Sequence, residues 1–174
     1  MVKLARLLFL IAAVVFFTTT VYQFNKALPI PIQVISKDLV KEEAVKSLKI
    51  LGAPSSEIER VSEGVALAVK SRTNSRIDVP LVVTTINDES RFNPNATSVK
   101  GYKSYMQTPV ATRIFADVDI LHGVRILEEK LNMTNNNLLA AMTLYKGGNN
   151  PVAKRQAMQT LDKYVWLKKK LKII

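Results

Sequence analysis

The stretch from Ile86 to Gln107 reads INDESRFNPNATSVKGYKSYMQ and marks a change from a helix to an irregular segment. It starts at the end of an apolar run and places two carboxylates, Asp88 and Glu89, in succession. Consecutive side chains point about 100° apart on a helix, so we expect only one of them to face a cleft and the other to be solvated. Turn-forming residues then predict an irregular loop or a small β-hairpin over 93–105.

Helical patterns lie on both sides of this stretch. A first helix is predicted from Asp38 to Leu51, because apolar residues recur at helical spacing and Gly52 and Pro54 follow. The fold class is therefore mostly α, with one small non-helical wing. The remaining helices are predicted after a Ser-Ser cap at 55–56, after an N-cap at Asp78 with Pro80 in the first turn, and over 109–115, 117–131, 135–146, 150–160 and 161–171.

The amino-terminal residues predict a membrane anchor. Lys3 and Arg6 precede a run without charge from Leu7 to Phe24, which is long enough to cross a bilayer as a helix. A cleaved signal peptide is the alternative, but no small-x-small cleavage site follows the run. We assign residues 1–25 to the anchor. Pro29 and Pro31 favour an extended tether after it.

The predicted organisation has three parts. After the anchor, residues 26–75 hold the tether and two helices, which form either a stalk or the first helices of the domain. Residues 76–174 form the main domain. Its last residues, LKKKLKII, are basic and amphipathic, and two interpretations stay open for them: a solvated helix end, or a contact with anionic lipid or polymer.

Composition limits the classes of function. The sequence has 25 Lys and Arg against 14 Asp and Glu, a formal net charge of +11, and this excess favours an anionic neighbour such as nucleic acid, a phospholipid surface or a wall polymer. Nucleic acid is not expected as a partner, because no basic patch interleaved with aromatic residues is present. The absence of cysteine and the single His122 exclude disulfides and a histidine-rich zinc site, so neither a metal nor a cofactor is expected.

Glu89 is the main candidate for chemistry. It is predicted at a helix end, against the loop, where Tyr102, Tyr105 and Met106 could close over it. A carboxyl group in a partly apolar pocket has a raised pKa, which suits a general acid near neutral pH. The alternative is an ordinary glutamate at a helix end in water.

Three blocks of this sequence, in order, resemble the lysozyme-like lytic transglycosylase family, the SLT domain related to goose-type lysozyme. The second block, Asp119-Ile120 with Gly123 and Leu127, is similar to the family's N-I-x-x-G-x-x-x-L, and the third, AAMTLYKGGNNPV, is similar to A-A-Y-N-x-G-x-x-x-V. Further on, Tyr164-Val165 falls where the family has a late Tyr-Val. The first block matches the family's E-S-x-F-x-P-x-A-x-S-x-x-G-A-x-G-L-M-Q at Glu89-Ser90, Phe92, Pro94, Ala96, Ser98, Gly101 and Met106-Gln107.

The resemblance implies a lysozyme-like α+β fold and cleavage of the MurNAc-GlcNAc β-1,4 bond of peptidoglycan with formation of 1,6-anhydro-MurNAc. Glu89 takes the place of the family's catalytic acid, and Ser90, Met106, Gln107 and Tyr145 take the places of residues that line the glycan groove. For Met106, packing is the favoured role. No second carboxylate follows Glu89 before Asp117, which suits a transglycosylase better than a two-carboxylate glycosidase.

The expected setting follows from the anchor and the resemblance together. The domain would lie in the periplasm on a single-pass inner-membrane protein, or belong to a phage virion with a membrane. It would open the wall locally for secretion, envelope assembly or phage entry. Its partners would be peptidoglycan strands, the membrane, and secretion or virion assembly proteins.

Four departures from the family pattern support an alternative function. The family's small residues and leucine are replaced by Tyr102, Ser104 and Tyr105, which predicts a bulkier or more aromatic cleft floor. Its Asn after Tyr is Lys146, whose ammonium would hold a nearby carboxylate in its ionised form unless the side chain points outward. The alternative is a catalytically degenerate lysozyme-like domain that binds peptidoglycan or an assembly partner.

Overall fold

The computed structural model describes residues 32–109 and 115–172, with side chains from residue 39 onward. The chain divides into two units, Met1–Ser36 and Lys37–Ile174. Only the start of one helix is described in the first unit. Within the described residues the protein is mostly helical, as predicted. The helices are α1 (Ile32–Ile50), α2 (Ser55–Ser71), α3 (Val79–Ser90), α4 (Ala116–Met133), α5 (Leu138–Tyr145) and α6 (Pro151–Lys170).

Helix α1 begins earlier than predicted. Its first residue is Ile32, directly after Pro31 in the sequence, so the expectation of an extended segment as far as residue 36 is wrong. The end agrees with the prediction: Gly52 has a φ of 74°, and the N–H of Ala53 donates to the carbonyl of Leu48 at 2.9 Å.

Helix α2 starts without the predicted serine cap. Pro54 occupies the N-cap position, no side chain caps the helix, and the two serines are the first helical residues. Glu57 lies in the first turn, where its charge favours the helix dipole. The inner face of α2 packs against α4 and contributes Val61, Val65 and Ala68 to the core.

Helix α3 is the central helix of the core. Every residue from Val79 to Ile86 is buried, which explains why its apolar run is continuous rather than periodic. The predicted N-cap is confirmed, because Oδ1 of Asp78 accepts from the N–H of Leu81 at 3.0 Å. The other oxygen of Asp78 accepts from the hydroxyl of Tyr164 on α6 at 2.9 Å.

The segment 91–109 crosses from the end of α3 towards α4. It contains no strand, only isolated antiparallel bridges of Lys103 with Thr97 and with Thr108. Arg91, Phe92, Ser104 and Gln107 have positive φ angles between 47° and 68°. Four such residues in one segment that are not glycine indicate a backbone held by its surroundings rather than by its own preference.

The carboxyl-terminal helices α4, α5 and α6 pack in sequence, each against the next, and only α6 packs directly along α3. Helix α4 contacts α2 and α5, and α6 contacts α3 and α5. The predicted segments 117–131 and 135–146 correspond to α4 and α5, whereas 150–160 and 161–171 form the single helix α6. No glycine or proline separates those two segments, so nothing interrupts the helix. Most of the predicted segment 109–115 lies outside the described residues.

In the described part of the chain, no helix has the length and apolar character needed to cross a membrane. The predicted anchor, residues 1–25, lies outside that part.

Candidate functional site

A groove of about 1300 Å³ lies beside the carboxyl-terminal end of α3. Its walls are the last turn of α3, the segment 97–109, one side of α4, the end of α5 and the first three turns of α6. Polar side chains are numerous along these walls. Those with amide, hydroxyl or ammonium groups are Thr97, Ser98, Lys100, Tyr102, Gln107, Thr108, Lys130, Tyr145, Lys146, Asn150, Gln156, Gln159, Thr160 and Lys163.

Glu89 projects into this groove from the last turn of α3, but its charge is paired. The Nζ atom of Lys146, the residue that follows α5, donates to Oε1 of Glu89 at 2.7 Å. The side chains of Glu89 and Lys146 are only 16% and 7% exposed. Lys146 therefore points inward, and the carboxylate is neither an ordinary solvated glutamate nor an unpaired acid.

Asp88 also lines the groove, so the expectation that only one of the two carboxylates faces it is wrong. Nζ of Lys163 on α6 forms an ion pair with Asp88 and donates to Oδ1 of Asn87 at 2.7 Å. The groove is wide enough for its wall to include two consecutive helical residues. Each of the two carboxylates thus has its own lysine, one from the end of α5 and one from α6.

Gln107 and Tyr145 fasten the segment 91–109 to two helices. Nε2 of Gln107 donates to the backbone carbonyl of Glu89 at 2.5 Å, and the hydroxyl of Tyr145 donates to the backbone carbonyl of Met106 at 2.9 Å. Burial raises the pKa of the Tyr145 hydroxyl well above its ordinary value, and the negative charge of Glu89 acts in the same direction. This hydroxyl therefore stays protonated and acts as a donor.

Met106 lines the groove, yet it is almost completely buried. Its side chain fills a notch at Gly123 on α4, where an added Cβ would lie 2.5 Å from Sδ and 2.7 Å from Cβ of Met106. Only a glycine leaves room for this contact. The geometry agrees with the packing role favoured for Met106.

Ser90 lies outside the groove lining. Its side chain is buried, and its hydroxyl donates to the carbonyl of Ile86 at 3.0 Å within α3. The structure thus brings Glu89 together with Met106, Gln107 and Tyr145 at the groove and separates Ser90 from them.

Tyr105 does not close over Glu89, and the prediction that it enlarges the cleft floor is wrong. Its ring is buried in the core, and its hydroxyl donates to Oε2 of Glu57 on α2 at 2.5 Å. The guanidinium of Arg60 lies 5.5 Å from the ring centroid. Burial, together with the neighbouring Glu57, raises the pKa of Tyr105. Tyr102, in contrast, does line the groove.

Sequence reasoning missed the contribution of α6 to the groove. Gln156, Gln159 and Lys163 line it from one face of that helix. Their spacings of three and four residues are those of side chains that share a helix face. This pattern of polar residues was the available signal, although it did not show what the face would contact.

Within the described residues, no group of three or more histidine, aspartate or glutamate side chains is placed to hold a metal ion. The groove carries its charges as two lysine–carboxylate pairs and further lysines.

The chain matches no model of a protein family, no curated protein and no solved structure. The lysozyme-like resemblance therefore stays a prediction based on the sequence motifs.

Proposed function

We propose that this protein is a membrane-anchored lytic transglycosylase that cleaves peptidoglycan, with Glu89 as the catalytic acid. One observation carries the proposal: the carboxylate of Glu89 stands in the wall of a groove of about 1300 Å³ that is lined by amides and hydroxyls. Such groups both donate and accept hydrogen bonds, as recognition of a glycan strand requires.

In the proposed reaction, Glu89 in its protonated form donates its proton to the glycosidic oxygen between MurNAc and GlcNAc as the C1–O bond breaks. The carboxylate that remains then takes the proton of the MurNAc C6 hydroxyl, whose oxygen forms the new bond to C1. The products are a GlcNAc end and a 1,6-anhydro-MurNAc end, and no water is consumed. A positioned acid of this kind contributes typically about 10²- to 10⁴-fold to the rate.

The finer fold description belongs to the same proposal. The segment 91–109, with its two β-bridges, would be the small wing of a lysozyme-like α+β domain. Residues 1–25 would hold this domain at the periplasmic side of an inner membrane, or at a virion membrane, beside its wall substrate and its secretion or assembly partners.

A second candidate function is supported by the ion pair between Lys146 and Glu89. Oε1 of Glu89 already accepts a hydrogen bond from the ammonium of Lys146 at 2.7 Å, so in this arrangement that oxygen is engaged with the protein rather than free to contact a glycosidic oxygen. If this pair persists when glycan is bound, the groove binds the strand without cutting it. The domain would then attach the membrane or an assembly to the wall.

The experiment that separates the two functions uses the full chain in detergent, incubated with purified peptidoglycan. Mass spectrometry should detect anhydro ends, and Glu89→Gln should abolish them while co-sedimentation with peptidoglycan is retained. Glu129→Gln, which changes an exposed glutamate of α4, is the matched control and should behave as the wild-type chain. Binding without anhydro ends in the wild-type chain would favour the second function; absence of both would refute both.

A further inference from the structure

Helix α6 has an outer face that is covered by no other described element. Met158, Val165 and Trp166 are 50%, 42% and 44% exposed. Val165 lies seven positions after Met158 and therefore points in nearly the same direction, and Trp166 lies beside it, about 100° further round the helix, so the three side chains share one outer face, here called the stripe. The opposite side of α6 is buried through Ala153, Ala157, Thr160 and Leu167.

Cations gather at the carboxyl-terminal end of this stripe. Lys169, Lys170 and Lys172 are exposed, and none of them forms an ion pair with a described carboxylate. The ammonium of Lys170 lies 5.8 Å from the centroid of the Trp166 ring. Two other lysines of α6, Lys163 and Lys168, are engaged with aspartates of the core side.

We propose that this end of α6 is a docking surface for an anionic phospholipid bilayer, with Trp166 and Val165 entering the headgroup region and Lys169, Lys170 and Lys172 meeting the lipid phosphates. Tryptophan is enriched at the membrane–water interface because its ring is amphipathic, and lysines beside it are attracted to the negative surface potential. The exposed apolar pair distinguishes this occupant from an anionic wall polymer, which offers charge but no apolar interior.

The surface also contains a charge of the wrong sign for this partner. Asp162 is the single acidic residue of α6, and it is exposed on the outer side between Met158 and Trp166. Its carboxylate opposes docking, so its removal should strengthen the attachment. This gives the proposal a substitution whose effect is opposite to that of removing a lysine.

Trp166 is the only tryptophan of the sequence, so the tryptophan emission of the unmodified full chain, excited where tyrosine does not absorb, reports on this surface alone. We would reconstitute the full chain in vesicles of phosphatidylcholine, with or without phosphatidylglycerol. We expect the emission of Trp166 to move to shorter wavelength, and to be quenched by lipids brominated near the headgroup, only when phosphatidylglycerol is present. Salt of about 1 M should reverse both effects, since it reduces the screening length to about 3 Å.

The variants test the charges and leave the fluorophore in place. Lys169→Gln and Lys172→Gln should each lower the ratio of docked to free Trp166 about fivefold, whereas Asp162→Asn should raise it. The control, Lys154→Gln with Arg155→Gln, removes two charges near the other end of α6 and should have a much smaller effect. An emission that is the same in neutral and anionic vesicles would overturn the proposal. So would a shift that appears with soluble peptidoglycan fragments and not with anionic vesicles.

Discussion

The ammonium of Lys146 lies 2.7 Å from the carboxylate of Glu89 in a groove wall where both side chains are largely shielded from water. The two residues come from the end of α5 and the end of α3, 57 positions apart in the sequence. A partly buried pair of this kind has lost much of its hydration, so each charge depends on the other. Glu89 must therefore leave this ion pair before its Oε1 atom can contact a ligand.

The first prediction concerns activity. Replacing Lys146 with the amide that the family pattern has at this position, Lys146→Asn, removes the ammonium that occupies Oε1 of Glu89 and leaves this oxygen free to contact the glycan. We expect the release of anhydro-muropeptides, measured by mass spectrometry at matched protein concentration, to increase by about 10-fold, which corresponds to about 1.4 kcal/mol. Lys163→Asn, which frees Asp88 in the same groove, is the control and should not increase the release. Equal rates for Lys146→Asn and the wild-type chain would argue against the pair as a restraint on catalysis.

The second prediction concerns stability. Lys146→Met and Glu89→Gln should each destabilise the fold by about 1–3 kcal/mol, because the first leaves the largely buried carboxylate without a donor and the second leaves the largely buried ammonium without an opposite charge. The double variant should lose less unfolding free energy than the two single variants lose in total, with a coupling energy of about 1–3 kcal/mol. Urea unfolding of the four proteins measures the cycle. The exposed pair of Lys41 and Glu59 serves for comparison and should show much weaker coupling. Strict additivity at Glu89 and Lys146 would contradict the assignment.

The third prediction concerns the notch that holds Met106. Gly123→Ala places a methyl group where Sδ and Cβ of Met106 now lie, and overpacking of this kind costs about 1–3 kcal/mol. Met106→Ala removes the clashing Sδ and Cε atoms but keeps Cβ, so the two substitutions together should cost less stability than the sum of their separate costs. Denaturant unfolding of the single and double variants measures both effects. If Gly123→Ala alone has the stability of the wild-type chain, the contact is not as close as the structure shows.

The fourth prediction concerns pH and Glu43 on α1. Burial raises the pKa of this carboxyl, and Asp78 adds to the effect, whereas Lys168 and Arg72 oppose it. A raised pKa means that the folded state binds the proton more tightly than the unfolded state. Proton binding at Glu43 therefore stabilises the folded state. This stabilisation is complete below the ordinary pKa of 4.5 and is lost as the pH rises through the pKa of the folded state.

Because glutamine stays neutral, Glu43→Gln should raise the Tm near neutral pH, and this gain should shrink as the pH falls through the raised folded pKa and be gone below the ordinary value of 4.5. Thermal unfolding followed by circular dichroism across this range measures the difference. The neighbouring Glu42→Gln, an exposed position on the same helix, is the control. A gain from Glu43→Gln that is the same at both ends of the range would show that the carboxyl titrates alike in the folded and unfolded chain.

Much of the helical framework was predictable because its signals are local. The N-cap at Asp78, the stop at Gly52 and the break after the last turn of α3 depend on neighbouring residues, and the structure has each of them. The merging of two predicted segments into α6 and the early start of α1 show the limit of this reasoning. A break was assigned where no helix-breaking residue occurs, and an extended segment was assigned to residues that α1 includes.

The partners in the groove could not be predicted in this way. Lys146 and Lys163 reach the two carboxylates only because α5 and α6 fold back against the end of α3, across separations of 57 and 75 residues. Similarly, Tyr105 was expected at the cleft because it neighbours Met106 in sequence. Its backbone turns at Ser104, where φ is 68°, and the ring lies in the core against Glu57. Contacts of this range are set by packing, not by local pattern.

The close contact of Met106 with Gly123 fixes part of the groove wall before a ligand binds. It joins one wall of the groove to a core helix, and the bonds of Gln107 and Tyr145 hold the same wall from two further sides. This part of the groove wall is ordered when the protein folds, so the binding of a ligand does not carry the entropic cost of ordering it. A ligand therefore meets a preorganised surface, and the backbone from residue 101 to residue 107 should superimpose closely in free and occupied molecules.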